Sequence, residues 1–163
     1  TLGESKSIAA RVSRHPAAPN LADTRCQIYL DHGPARRVSI CANHGHRFGR
    51  RHQESFVKWE GDSGAVRVQL GMLLSYPEGE SDTLEYCVLQ ENKNPRWQAV
   101  RLGGQWFPDA FIGPMAGLMR HVEGSDPELS PSLDDGLRAM AMVEAVYTSS
   151  EAGGMPQRVV DIG

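Results

Sequence analysis

Several marks of familiar functional classes are scarce or missing in this sequence. Cysteine occurs three times in 163 residues, at Cys26, Cys41 and Cys87, widely spaced and never as a CxxC pair, which argues against a disulfide framework. Each lies in an apolar or alternating run, so the three read as buried thiols in a reducing compartment. Charge of one sign is also lacking: 17 Lys and Arg against 20 Asp and Glu leave a net charge of −3. That removes the electrostatic case for a nucleic acid or an anionic membrane as partner. No apolar run approaches the ~20 residues that cross a bilayer, and Thr1 to Ile8 show no basic segment leading into an apolar one. A soluble, cytoplasmic protein is the expectation. Lysine is confined to Lys6, Lys58 and Lys93, so most positive charge sits on planar guanidinium groups suited to carboxylates and phosphates. The length fits one domain, 1–163, able to bury roughly 70% of its unfolded surface.

What is present is alternation. Ile8, Ala10 and Val12 form one period-two run, and Cys26, Ile28 and Leu30, then Val38, Ile40 and Ala42, form two more around the turn Asp31-His32-Gly33-Pro34. Val57 and Trp59 precede Gly61-Asp62-Ser63-Gly64 and then Val66, Val68 and Leu70; Leu84, Tyr86 and Val88 precede the polar stretch Glu91 to Pro95 and the run Trp97 to Leu102. These give three hairpin-like pairings and a mostly antiparallel sheet of about six or seven strands.

From Asp109 the period changes. Phe111, Met115, Leu118 and Val122 fall on one helical stripe, with Pro114 near the first turn, where a bend is expected, and Gly124 placed as a C′ residue. Ser132 with Asp135 reads as an N-cap and capping box for a second helix ending at Gly153-Gly154, its buried stripe being Leu133, Leu137, Met140, Val143 and Tyr147. Glu144 falls within that stripe and so needs a partner; the tail Arg158 to Ile162 is expected as an edge strand. Strands first and helices last imply an α+β fold, a large open sheet with two C-terminal helices on one face. The other face carries Arg11, Arg25, Gln27, Tyr29, Ser39, Lys58, Arg67 and Gln69 by parity and must meet water, a ligand or another subunit.

The segment Ser132 to Gly153, with Asp-Gly-Leu-Arg-Ala, Val-Glu-Ala, Tyr, Ser and Glu-x-Gly in order, resembles the closing helix of the glucose-fructose oxidoreductase and inositol dehydrogenase (Gfo/Idh/MocA) family. Glu60-Gly-Asp-Ser-Gly-Ala-Val-Arg-Val is similar to that family's short hairpin, and Trp106 to Gly124 to its intervening helix. The resemblance implies the C-terminal domain of a two-domain enzyme, resembling the C-terminal domain of dihydrodipicolinate reductase, that provides substrate and subunit contacts. It implies NAD or NADP bound in the intact parent by a Rossmann domain absent here, a sugar or polyol as substrate, and a homo-oligomer formed through the open sheet face.

The residues bear on this from the other side. No Gly-x-Gly-x-x-Gly turn links a strand to a helix, and Gly103-Gly104 lacks a third glycine at the needed spacing. Neither the family's catalytic Lys nor its Gly/Asp-x-Gly-x-His-x-x-Asp helix is matched, so the chain alone is expected to be catalytically silent and to bind no cofactor or metal. The densest polar chemistry is Asn43-His44-Gly45-His46-Arg47, followed by Arg50, Arg51 and His52. His44, His46 and Arg47 are the expected substrate-binding residues, able to bond sugar hydroxyls or pair with a carboxylate or phosphate. Two alternatives stay open: a metal held by His44 and His46 with His52 or Cys41, and a free-standing module that binds a small anion or carbohydrate. Trp97, Trp106 and Phe107 offer a stacking platform or, more plainly, anchors.

Overall fold

The alternating runs fold as antiparallel strands and the later stripes as helices, in the computed structural model that describes residues 3, 5–16, 18–20, 22–46, 48–89, 94–126, 128 and 131–160. The strands are β1 (Ser7–Ser13), β2 (Arg25–Asp31), β3 (Arg37–Asn43), β4 (Phe56–Gly61), β5 (Gly64–Gln69), β6 (Thr83–Val88) and β7 (Gln98–Val100). The helices are α1 (Trp106–Asp109), α2 (Ile112–Val122) and α3 (Leu133–Glu151). The class is therefore α+β, as the pattern implies. The strands divide into a three-stranded sheet, β1-β2-β3, and a four-stranded sheet, β4-β5-β6-β7. Contacts group the chain likewise into two compact units, Thr1–Arg47 with Pro131–Gly163, and Phe48–Ser130. No described helix is long and apolar enough to cross a membrane.

In the first unit the register sets Ile8 opposite Leu30, Ala10 opposite Ile28 and Ile28 opposite Ile40. One face thus gathers the even-numbered apolar residues. Its core is Ile8, Ala10 and Leu30 with Ala145, packed around by Ile28, Val38, Met142, Val146 and Val159. Helix α3 lies against β1 through Ala141, Ala145 and Ser149, its buried residues. The stripe read from the sequence is the wrong one: Leu133, Leu137, Met140, Val143 and Tyr147 are all exposed, Leu133 by 80%. The reason is distance. The hydroxyl of Ser149 accepts from Ala10 N–H at 2.9 Å and that of Ser150 from Val12 N–H at 2.9 Å, a close approach made along Ala141, Ala145 and Ser149, with Met142 and Val146 packing beside them. Glu144 is exposed as well, so the buried, paired acid expected there does not exist.

The ends of α3 follow the sequence signals. Ser132 Oγ accepts from Asp135 N–H at 3.2 Å, and Asp135 Oδ2 accepts from Ser132 N–H at 2.8 Å, completing the capping box. At the C-terminus Gly153 and Gly154 have φ of +75° and +89°. Their N–H groups bond Ser150 O and Ser149 O at 3.1 and 2.7 Å, a Schellman closure. Beyond it the expected edge strand reduces to one bridge, Gln157 to Ile8; Ile162 lies outside the described residues.

The capping box predicts a pH effect. The backbone and side-chain hydrogen bonds from Ser132 hold the Asp135 carboxyl below its ordinary value of 3.8. A lowered folded-state pKa gives stability that is present above the unfolded value and lost as pH falls through the folded one. Asp135→Asn is therefore expected to flatten the acid limb of the stability curve below about pH 3.8, measured by urea midpoints across pH 2.5 to 6. An unchanged limb would show that the carboxylate is not what caps the helix.

In the second unit Lys58 lies opposite Arg67, and Arg67 opposite Glu85, while Val57 faces Val68 and Val68 faces Leu84. One face is thus polar and charged and the other apolar. The apolar face stays open to solvent at Val57, Trp59, Val88 and Val100, as does the stripe Phe111, Met115, Leu118 and Val122 on α2. Pro114 falls in the first turn of α2, where its missing N–H breaks no helical bond; the irregularity lies earlier, at Phe107, whose φ of −119° and ψ of 127° are extended. Gly124, with φ of +75°, ends α2 at the expected place. The loop from β5 to β6 begins with a 3-10 turn, Gly71–Leu73. Asp82 pins it: Oδ1 accepts from Gly71 N–H at 2.7 Å, and Oδ2 accepts from Trp106 N–H at the start of α1.

Candidate functional site

The ends of all three strands of the first unit meet at one corner. Thr24, just before β2, ties them: its hydroxyl accepts from His15 N–H at 3.1 Å and its carbonyl from His44 N–H at 2.9 Å. Asn43 Oδ1 then accepts from Gly45 N–H at 3.0 Å, a local turn of the kind asparagine favours. The His15 ring lies directly on Gly45, where a Cβ would stand 2.1 Å from Cδ2. A side chain at this position would have to displace the ring, and a residue not singled out in the sequence joins the site. Arg25 adds charge, its Nη2 donating to Arg14 O at 2.9 Å.

Of the expected substrate-binding residues, His44 is exposed and His46 half-buried at this corner; Arg47 lies outside the described residues. Imidazole and guanidinium groups on a rigid sheet end can hydrogen-bond hydroxyls or receive an anion. His52 belongs to the other unit, and among the described residues no group of three or more His, Cys, Asp or Glu could hold a metal ion. The reading of a metal held by His44, His46 and His52 therefore finds no geometry. The thiols also differ from expectation: Cys87 is buried, Cys26 half-buried and Cys41 exposed. Cys41 has the odd parity of its strand and so lies on the face away from α3.

That face holds the residues the alternation assigned to it. Arg11 pairs with Gln27, Tyr29 with Ser39 and Gln27 with Cys41, so Arg11, Arg25, Gln27, Tyr29 and Ser39 share one side of the first sheet. Lys58, Arg67 and Gln69 share one side of the second.

The polar side of the second sheet carries two grooves that share Glu85. The smaller, about 450 Å³, is bounded by Glu54, Phe56, Lys58, Arg67, Glu85 and Trp97. Arg67 Cζ sits 4.7 Å from the centre of the Phe56 ring, a cation–π contact that fixes its planar fork. Lys58 Nζ meets Glu60 Oε1 at 2.9 Å, an exposed pair of small energetic weight. The larger groove, about 700 Å³, runs past Gln69, Thr83 and Glu85 to the loop of Gly103, Gly104 and Gln105. Two cations, two carboxylates and two aromatic rings suit a polar, ring-bearing molecule more than a simple anion. Neither groove is lined by His or Cys. Phe56 and Glu85 escaped the sequence reading: registering the strands across the Gly61–Gly64 turn sets Lys58 opposite Arg67, but Glu85 joins them only through the pairing of β5 with β6 across the longer loop. Trp97 lines a groove, but Trp106 and Phe107 do not. Phe107 packs edge-on against Phe111 with centroids 5.8 Å apart, and the stacking platform of three aromatics does not form.

No known family's sequence profile matches the chain, and no curated protein matches it. Among solved structures, the fold is similar to that of a protein described as a "putative nadph-dependent oxidoreductase" from Desulfitobacterium hafniense DCB-2. The TM-score is 0.69 at 15% sequence identity, over 94% of this chain and 43% of that one. The chain thus spans less than half the length of the protein whose fold it shares.

Proposed function

We propose that the chain is the C-terminal substrate-binding and subunit-contact domain of an NAD(P)-dependent oxidoreductase of the Gfo/Idh/MocA family, acting on a sugar, polyol or related secondary alcohol. The observation that carries this is the fold shared over 94% of the chain with part of an enzyme described as NADPH-dependent. The closing-helix motif supports the family, and the exposed apolar surfaces of α2 and the second sheet support a partner that covers them.

The chain's own residues do not fit a dinucleotide. Gly103-Gly104 leads through Gln105 into α1, only four residues long, with no third glycine to let a pyrophosphate approach. The nicotinamide therefore belongs to the rest of the parent, and this chain supplies a wall of the substrate site. His44, His46 and Arg47 contact substrate hydroxyls or a carboxylate, and the face of Arg11, Arg25, Gln27, Tyr29 and Ser39 is offered to a second copy. A second reading, a free-standing module that binds a small anion or carbohydrate without chemistry, draws on the groove of Phe56, Arg67 and Trp97.

An antibody against this chain separates the two readings. The native polypeptide is expected at roughly 35 to 45 kDa with NADPH-dependent reduction of a ketone-bearing sugar; a native band near 17.9 kDa would move the module to first place. In the intact enzyme His44→Ala with His46→Ala is expected to raise KM roughly tenfold while kcat stays within about threefold, the signature of lost uniform binding. An unchanged KM would place the substrate elsewhere.

A further inference from the structure

On the polar side of the second sheet, β5 stands between β4 and β6 and sets Arg67 opposite Glu85. Opposite charges in that relation ordinarily attract across the strands. These two do not pair. The Arg67 guanidinium turns the other way, onto the Phe56 ring of β4, with Cζ 4.7 Å from its centre. Among the described residues neither Arg67 nor Glu85 makes a salt bridge or a side-chain hydrogen bond, although both are half-buried. Each charge has therefore lost part of its water without gaining a partner. Lys58, the other cation of the row, is occupied by Glu60, while Glu54 is unpaired among the described residues.

These groups bound the smaller groove, whose volume of about 450 Å³ lies in the range of small-molecule sites. Every residue that lines it belongs to the second unit. A guanidinium stacked on a ring keeps its N–H edges available for a carboxylate. Glu85 and Glu54 supply acceptors for an ammonium group. Trp97 stands one residue before β7, on the side of Ala99, which lies opposite Glu85, and its ring is exposed. Charge matching then decides among ligands. A simple anion suits Arg67 but meets two carboxylates, and a simple cation meets Arg67. A neutral sugar bonds both groups and leaves both charges unmatched. A zwitterion with an apolar body matches the guanidinium, the carboxylates and the indole together.

We propose that this groove binds a free α-amino acid with an aromatic or large apolar side chain, its carboxylate on Arg67, its ammonium on Glu85 and Glu54, and its side chain against Trp97. The site is built from this chain's own residues and depends on neither reading of the parent. Titration of the chain with L-phenylalanine, followed through the indole N–H signal of Trp97 in proton–nitrogen spectra, is expected to give a Kd of about 1 mM or tighter. Phenylpropionate, which lacks the ammonium, and phenethylamine, which lacks the carboxylate, are each expected to bind at least roughly tenfold more weakly. Arg67→Met and Glu85→Gln, which keep the length of the side chains, are expected to weaken L-phenylalanine by a similar factor while the signals of the first unit stay in place. An unmoved Trp97 signal at about 10 mM L-phenylalanine, or equal binding of either analogue, would overturn the proposal. So would preferential binding of glucose, which would hand the groove to the carbohydrate-binding module.

Discussion

Replacing Ser149 by alanine is expected to destabilise the chain by about 2 kcal/mol, the cost of leaving the buried Ala10 N–H unpaired; Met155 is exposed and its carbonyl keeps a second donor in Gln157. The Ser149 side chain is fully buried, accepts from Ala10 N–H at 2.9 Å and donates to Met155 O at 2.7 Å. It is the outermost rung of the sheet, borrowed from a helix. Alanine fits the same space and keeps the close approach to β1, so the loss isolates the hydrogen bonds from packing. The neighbouring Ser150 is the control: half-buried, with its bond to Val12 N–H also at 2.9 Å, its alanine variant can recruit water and is expected to lose only about 1 kcal/mol. For a chain of this length the two changes correspond to melting shifts of roughly 4–8 °C and 2–4 °C. Equal shifts would mean that solvent reaches Ala10 N–H as easily as Val12 N–H.

The same serine shows where sequence patterning stops being sufficient. Alternation located every strand because a one-residue slip exposes a whole apolar set, and glycine and capping signals located both ends of α3. Which stripe of α3 faces the sheet was not legible, because hydrophobic weight favoured Leu133, Leu137 and Tyr147 over Ala141, Ala145 and Ser149. The unpaired N–H groups of the edge strand β1 are met by the hydroxyls of Ser149 and Ser150, and that requirement lies in β1 rather than in the helix. Glu144 was misread for the same reason: its burial was inferred from neighbours that are themselves exposed.

At the candidate site, composition brought out His44 and His46 but not His15, twenty-nine residues earlier, whose ring rests on Gly45. Nothing local to either segment announces that contact; it arises because Thr24 binds both strand ends. The row of Lys58, Arg67 and Glu85 was partly legible, since the first two share parity, yet the Phe56 ring beneath Arg67 emerges only from the hairpin register.

The loop from β5 to β6 makes the other large prediction. Gly71→Ala is expected to destabilise the second unit by about 3 kcal/mol, at the upper end of overpacking effects. Its φ is not positive, so the demand for glycine is steric: a Cβ would stand 2.1 Å from Glu80 O and 2.5 Å from its carbonyl carbon. Both are backbone atoms, with no flexible side chain to yield. The same two segments are bonded through Glu80 N–H to Gly71 O at 2.9 Å, and Gly71 N–H reaches Asp82 Oδ1 at 2.7 Å. Parting them breaks the closure of the loop and loosens Asp82, which also holds the first turn of α1. Hydrogen exchange provides the check. Protection is expected to fall at Leu74 and Glu80, whose N–H groups both donate to Gly71 O, and at Trp106 through Asp82. Protection at Ala10 and Val12 in the other unit is expected to hold. A variant that melts within about 1 °C of the parent would mean that the loop relaxes around a methyl group without losing those bonds, and the role of Asp82 as the joint between loop and helix would fall with it.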